Sequence, residues 1–287
     1  MSFASTVALG ALAGFTIYLG LPIGRMRLLS NRSRVALAMF SVGVLAFIFV
    51  DVLSHGINIV DSSLTSYRHG HGSFAHLVFL VVLLAAGFVA GSAGLAAIER
   101  TMRPIGARRP PIAGGASAEA LTGNEAGALN REQDLARRRA LRTGLTIAAA
   151  IGVHNFAEGL AIGVSARAGA ISLATVLIIG FGLHNATEGF GIVGPLGDVK
   201  PSWRWLGLAG LIGGGPTFVG SLVGYSVTST PLELAFYAIA GGAILYVIGE
   251  IWNGMRRYGY RELGLLMVGA GFMVGVITDL IVSYGGG

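Results

Sequence analysis

The chain reads as an all-α protein that crosses a bilayer eight times. Three observations carry that reading. Apolar residues fill 53% of its 287 positions and charged residues only 12%, against about 25% charged in ordinary soluble domains. Eight stretches, roughly 3–22, 35–57, 74–98, 143–164, 170–194, 205–227, 232–252 and 263–284, reach the ~20 mostly apolar residues that a crossing needs. The basic residues fall almost entirely in alternate loops. Strands do not fit, because the runs are continuously apolar and longer than the ~10 residues of a barrel strand. Hydrocarbon offers peptide groups no water, so each run must close its own hydrogen bonds as a helix.

Taken in order, span 1 (3–22) has no basic segment before it and is of full crossing length, so no cleavable leader is expected. Arg25, Arg27, Arg32 and Arg34 follow it. Span 2 carries Asp51 and His55. The loop beyond it is "YRHGHGSFAH", with His69 and His71 before span 3 and His76 at its start. After span 3 comes the one long loop, 99–142, with nine arginines and "RRPPIAGGA". Its first part has the composition of a disordered segment. Residues 130–142, "NREQDLARRRALR", are expected to extend span 4 away from the bilayer. Spans 4 and 5 carry His154, Glu158, His184 and Glu188. Spans 1 and 6 have no ionisable group, span 7 has Glu233 and Glu250, and span 8 has Asp279. The chain divides into spans 1–3 (1–98), the loop 99–142, and spans 4–8 (143–287), all in one membrane domain.

Lys and Arg set orientation. The loops after spans 1, 3, 5 and 7 hold 18 of the 20 basic residues, and the alternate loops hold only Arg68 and Arg167. That bias puts the basic loops in the cytoplasm and both termini outside, in the cell (inner or plasma) membrane. It also gives the net charge of +6 a topological cause, so nucleic acid is excluded as a partner. The absence of Cys excludes disulfides and thiolate metal sites.

Ionisable groups at bilayer depth are costly, so each is a functional candidate. Two stretches stand apart: "GVHNFAEGLAIG" (152–163) and "GLHNATEGFGIV" (182–193), identical at six of twelve positions. In each, His and Glu are four residues apart and share a helix face. His154 lies 11 residues into its span, or ~17 Å deep at 1.5 Å per residue. Consecutive spans run antiparallel. The two copies are therefore related by an approximate two-fold axis in the membrane plane, which brings both polar faces together near the midplane. Two imidazoles and two carboxylates make an N/O ligand set suited to Zn²⁺ foremost, and also to Fe²⁺, Mn²⁺, Co²⁺, Ni²⁺ or Cd²⁺. Asn155 and Asn185 add amide oxygens, and Gly159 and Gly189 allow close helix approach. A single His–Glu pair is as well explained as an interhelical clamp; two matching copies at matching depth are not.

"HNFAEG" and "HNATEG" resemble the paired signatures of the ZIP (Zrt-, Irt-like) divalent metal transporters, in particular the GufA-like prokaryotic branch. The resemblance covers eight spans, outer termini and a long loop after span 3. It implies a 3+2+3 helix arrangement with inverted repeats, a divalent metal as substrate, and a transport site of His154, Glu158, His184 and Glu188 edged by Asn155 and Asn185. "GGAILYVIGE" resembles the family's span 7, which would put Glu250 on the cytoplasmic route. "FVDVLSHG" resembles the end of span 2, with Asp51 fitting and His55 in place of a Glu. Three departures are visible. Ala157 and Thr187 stand where the family usually has Pro, Thr217 stands where a Glu completes a second metal site, and the long loop lacks a His cluster. One bound ion is therefore favoured over two. Relatives pair as dimers, so a homodimer stays open.

Two other readings compete: a proton-coupled carrier of a non-metal solute, and an intramembrane metalloenzyme. The second needs His-Glu-x-x-His on one helix, which neither motif has, so no enzyme is expected. The outer histidines, His69, His71 and His76, either gather metal at the mouth or have no role.

Overall fold

The computed structural model describes residues 2–26, 30–102, 123–167, 182, 185–226 and 229–284. The described chain is helix and short turns, with no strand among the described residues. Helix α1 (Phe3–Phe15) continues through Ile17–Gly20 into a 3₁₀ turn, Leu21–Arg25. α2 is Asn31–Arg68, and α3 (Phe74–Val89) continues through a π turn, Ala90–Gly94, into Leu95–Met102. α4 is Gly123–Arg167, and residues 185–193 form the described part of α5. α6 is Trp203–Ser226, α7 Thr230–Arg256 and α8 Arg261–Tyr284. Seven helices among the described residues are long and apolar enough to cross a membrane. They match seven of the eight predicted spans. The rest of the predicted fifth span, 170–194, lies mostly outside the described residues, as does 103–122 of the long loop.

Local chemistry explains the helix starts. Ser2, Ser30 and Ser73 each accept the backbone N–H three residues on, satisfying one of the donors that a helix N-terminus leaves open. α2 overruns its predicted end, through "DSSLTSYR". A helix leaving the bilayer no longer has to be apolar, so hydropathy alone ended it early. It stops at Gly70, whose φ of 76° suits a residue without Cβ. Outward-facing positions along the spans are apolar, including Leu12, Leu19, Val82, Leu266 and Ile281. A surface of this extent is the mark of contact with lipid.

The packing repeats itself. A Cβ at Gly20 of α1 would stand 2.1 Å from the Ala186 carbonyl oxygen and 2.7 Å from the Phe190 nitrogen of α5. A Cβ at Gly220 of α6 would stand 2.1 Å from the Phe156 carbonyl oxygen and 3.0 Å from the Leu160 nitrogen of α4. Those are equivalent residues of the two motifs. Gly189 abuts Ile17 and Leu21, as Gly159 abuts Thr217 and Ser221. Gly14 and Gly214 each meet the other's carbonyl, so the local two-fold axis passes beside them. The outer helices obey the same rule. Gly43 of α2 meets Val268 and Phe272 of α8, as Gly242 of α7 meets Phe88 and Ser92 of α3. Gly271 meets Phe40 and Val44, as Gly91 meets Ile239 and Ala243. Thus α1 pairs with α6, α2 with α7, α3 with α8 and α4 with α5, which is the expected 3+2+3 inverted repeat.

The same contacts sort the helices. α1, α4, α5 and α6 touch backbone to backbone, as do α2 with α8 and α3 with α7. Between α1/α4/α5/α6 and α2/α3/α7/α8 the joint runs largely through side chains. Ile251 lies against Gly191, Ala38 against Gly194, and the Phe156 and Phe236 rings lie 4.7 Å apart. Its filling is largely apolar, with Val42, Leu45, Ile48, Ile147, Ile151, Ile244 and Val247 all buried, and Ser41 Oγ of α2 donates across it to the Thr187 carbonyl of α5 at 2.9 Å.

Candidate metal centre

The first motif lies on an unbroken helix. α4 runs from Gly123 to Arg167 straight through Ala157, as the absence of Pro there predicts. One turn apart, His154 and Glu158 face the same way, with Nε2 2.8 Å from Oε1. The second motif reaches the same point from α5: Glu188 Oε1 lies 3.8 Å from His154 Nε2. Asn155 joins the copies directly, its Nδ2 donating to Glu188 Oε2 at 3.2 Å and to the Gly213 carbonyl of α6 at 2.9 Å. On the other side Asn185 Nδ2 donates to the Ala13 carbonyl of α1 at 3.0 Å. Ala13 and Gly213 are equivalent positions of the repeat, so the two Asn bonds are symmetry mates.

His154, Asn155, Glu158, Asn185 and Glu188 are all buried. The amide nitrogens of both Asn residues are fixed by carbonyls, which leaves their Oδ1 atoms without a hydrogen-bond partner among the described residues. Thr217 Oγ1, at the position where the resemblance expects a Glu, is likewise buried without a partner there. Buried acceptors are ordinarily satisfied, so these three oxygens stay open to a ligand. His184 lies outside the described residues. Among those described, no three His, Asp or Glu side chains yet stand at metal-holding spacing.

The remaining predicted residues lie to either side. Asp51 and His55 sit one turn apart on α2, 3.7 Å between Oδ1 and Nδ1, both partly exposed. Asp51 is within electrostatic range of His154, Glu158 and Asp279. The His55 ring lies 5.5 Å from that of Tyr237, whose hydroxyl donates to Glu233. Asp279 was legible only as the single carboxylate in the last span; its neighbourhood with Asp51 needs the α2–α8 packing. Glu250, half-buried on α7, lies one residue before Ile251, which packs on α5. In the repeat, Gly43 corresponds to Gly242, so Asp51 corresponds to Glu250, the two lying on opposite sides of the motif pair. His69, His71 and His76 are exposed and form no metal-holding group among the described residues.

A helical inverted repeat with His154, Asn155 and Glu158 buried on one central helix and Asn185 and Glu188 on the other defines an integral membrane protein. The family model described as ZIP zinc transporter matches residues 1–275; the chain belongs to that family. The chain is also similar to the "Zinc transporter ZupT" of Clostridium perfringens (strain 13 / Type A), 32% identical over 157 residues. That match takes in 52% of this chain and 53% of the relative, so the chain spans about half the length of the curated relative it matches.

Proposed function

We propose that this protein carries divalent transition metal, zinc foremost, across the membrane into the cytoplasm, and that it is not an enzyme. The site is His154, Asn155, Glu158, His184, Asn185 and Glu188, with Asp51 and His55 on the outer route and Glu250 on the inner one. Membership of a zinc transporter family and a relative named for zinc transport support the reading. The observation that carries it is the Asn155–Glu188 bond, which ties the motifs together with His154 between two carboxylates. Asn155 fixes one carboxylate oxygen of Glu188 and keeps its own oxygen for the ion. The metal replaces protons on its ligands, and the buried surroundings strengthen its attraction to both carboxylates. Helices α1, α4, α5 and α6 move as one body against α2, α3, α7 and α8, because side chains slide past one another where interlocked backbones do not.

Metal flux into proteoliposomes tests this, with wild type set against His154→Ala and Glu188→Ala. The expected result is zinc uptake by the wild type and loss in both variants. No flux in the wild type would remove the function, and equal flux in all three would remove the site. A non-metal carrier would instead bind no zinc at the paired motif.

A further inference from the structure

At the basic end of the molecule a cavity of about 550 Å³ opens between Arg25, Arg137 and residues 198–202. Its walls come from three places far apart in sequence: the turn after α1, the extension of α4 beyond the bilayer, and the connection from α5 to α6. Arg25, Arg137 and Lys200 supply three cations, and Asp198 the one carboxylate. That carboxylate is already matched from outside the cavity by Arg34, whose Nη1 lies 3.1 Å from Oδ1. Arg25 is oriented, not neutralised. It donates to the Pro201 carbonyl and lies 4.7 Å over the Trp203 ring. Among the described residues, Arg137 and Lys200 have no carboxylate partner. Three like charges around one cavity repel unless an anion joins them.

We propose that this cavity binds a phosphate group, and that its source is the headgroup of an anionic phospholipid. Basic pockets at the cytoplasmic ends of membrane helices are suited to such headgroups. Trp203, 64% exposed beside Arg25, has the amphipathic ring that favours the headgroup level. The cavity is built only from α1, α4 and the α5–α6 connection, so a bound lipid travels with that group of helices. The proposal is independent of metal transport.

The test is binding of a short-chain phosphatidylglycerol to the purified full-length protein in neutral detergent. Phosphatidylcholine and inorganic phosphate are the parallel probes. The comparison set is wild type, the double variant Arg137→Gln/Lys200→Gln, and the charge-keeping Arg137→Lys/Lys200→Arg. Both side chains are exposed, so lipid-free melting temperatures stay equal. At about 1 kcal/mol per basic residue near a headgroup, the Gln variant binds phosphatidylglycerol roughly thirtyfold more weakly, and the charge-keeping variant binds as the wild type does. Inorganic phosphate binding as tightly as the lipid, with the same dependence on the variants, would keep the anion site and overturn its lipid source. Equal affinity in all three proteins, or phosphatidylcholine binding as well as phosphatidylglycerol, would overturn the site.

Discussion

Gly159→Ala is a methyl-sized perturbation whose effect can be worked from the packing. The added carbon would stand 2.1 Å from the Thr217 carbonyl oxygen, 2.8 Å from the Ser221 nitrogen and 2.9 Å from the Gly220 Cα. All three are backbone atoms, so no side chain can swing aside. Ordinary contact begins at 3.4 Å, so α4 and α6 must part by about 1.3 Å at this point. Overpacking of this kind costs about 1–3 kcal/mol, and Ala's better helix propensity returns at most ~1 kcal/mol. Glu158 is the adjacent residue, and a ligand set displaced by about an ångström loses most of its fit. The expected outcome is a melting temperature lower by several degrees and zinc flux reduced at least tenfold. Gly189→Ala, whose Cβ would meet the Ile17 carbonyl oxygen at 2.2 Å, should match it, because the repeat makes the sites equivalent. Gly249→Ala on α7, with nothing within 4 Å, is the control and should leave flux unchanged. Thermal melts and proteoliposome flux on the three variants decide the matter. Wild-type flux and stability in Gly159→Ala would refute the packing argument, and a large gap between Gly159→Ala and Gly189→Ala would refute the symmetry.

Three further outcomes follow from the same geometry. Asn155→Ala strips a donor from Glu188 and from the Gly213 carbonyl; an unsatisfied buried group costs about 1–3 kcal/mol, so zinc affinity by calorimetry should fall about tenfold or more, and an unchanged value would show that the amide does not position the carboxylate. Asp198→Ala removes a salt bridge whose carboxylate is 94% exposed; such pairs contribute little, so the melting temperature should hold within about a degree, and a marked drop would make this contact a structural joint between the two groups of helices. Zinc uptake should fall as the outer solution is taken from neutral to about pH 5, since imidazole and carboxylate ligands must be deprotonated to bind; uptake that climbs steadily over that range would contradict a His-containing site.

Much of the candidate site is legible in the sequence because its signal is local. His154 and Glu158 share a face through helical periodicity alone, and the duplicate at 182–193 announces its partner. Asn155 reads in the sequence as a candidate oxygen ligand, but not as the group that binds the two copies together. A hydrogen bond from α4 to α5 leaves no trace in spacing. One repeat signal in the sequence does map onto the fold: Gly10, Gly14, Gly20 and Gly24 are spaced as Gly210, Gly214, Gly220 and Gly224 are. The α2/α7 and α3/α8 equivalences have no such motif, since their matching positions are backbone contacts between distant helices.

The sequence by itself determined the class of protein. The bilayer imposes a length and polarity rule on every crossing segment, and that rule can be read a span at a time. It also narrowed the candidates for a metal site, because ligand chemistry belongs to side chains. Only the tertiary structure decided what those residues face. Ala13 and Gly213 accept the two Asn amides, Asp51 falls into correspondence with Glu250, and three cations from separate segments line one cavity. Each depends on helices meeting at glycines whose partners lie far along the chain, and nothing in local composition specifies which glycine meets which.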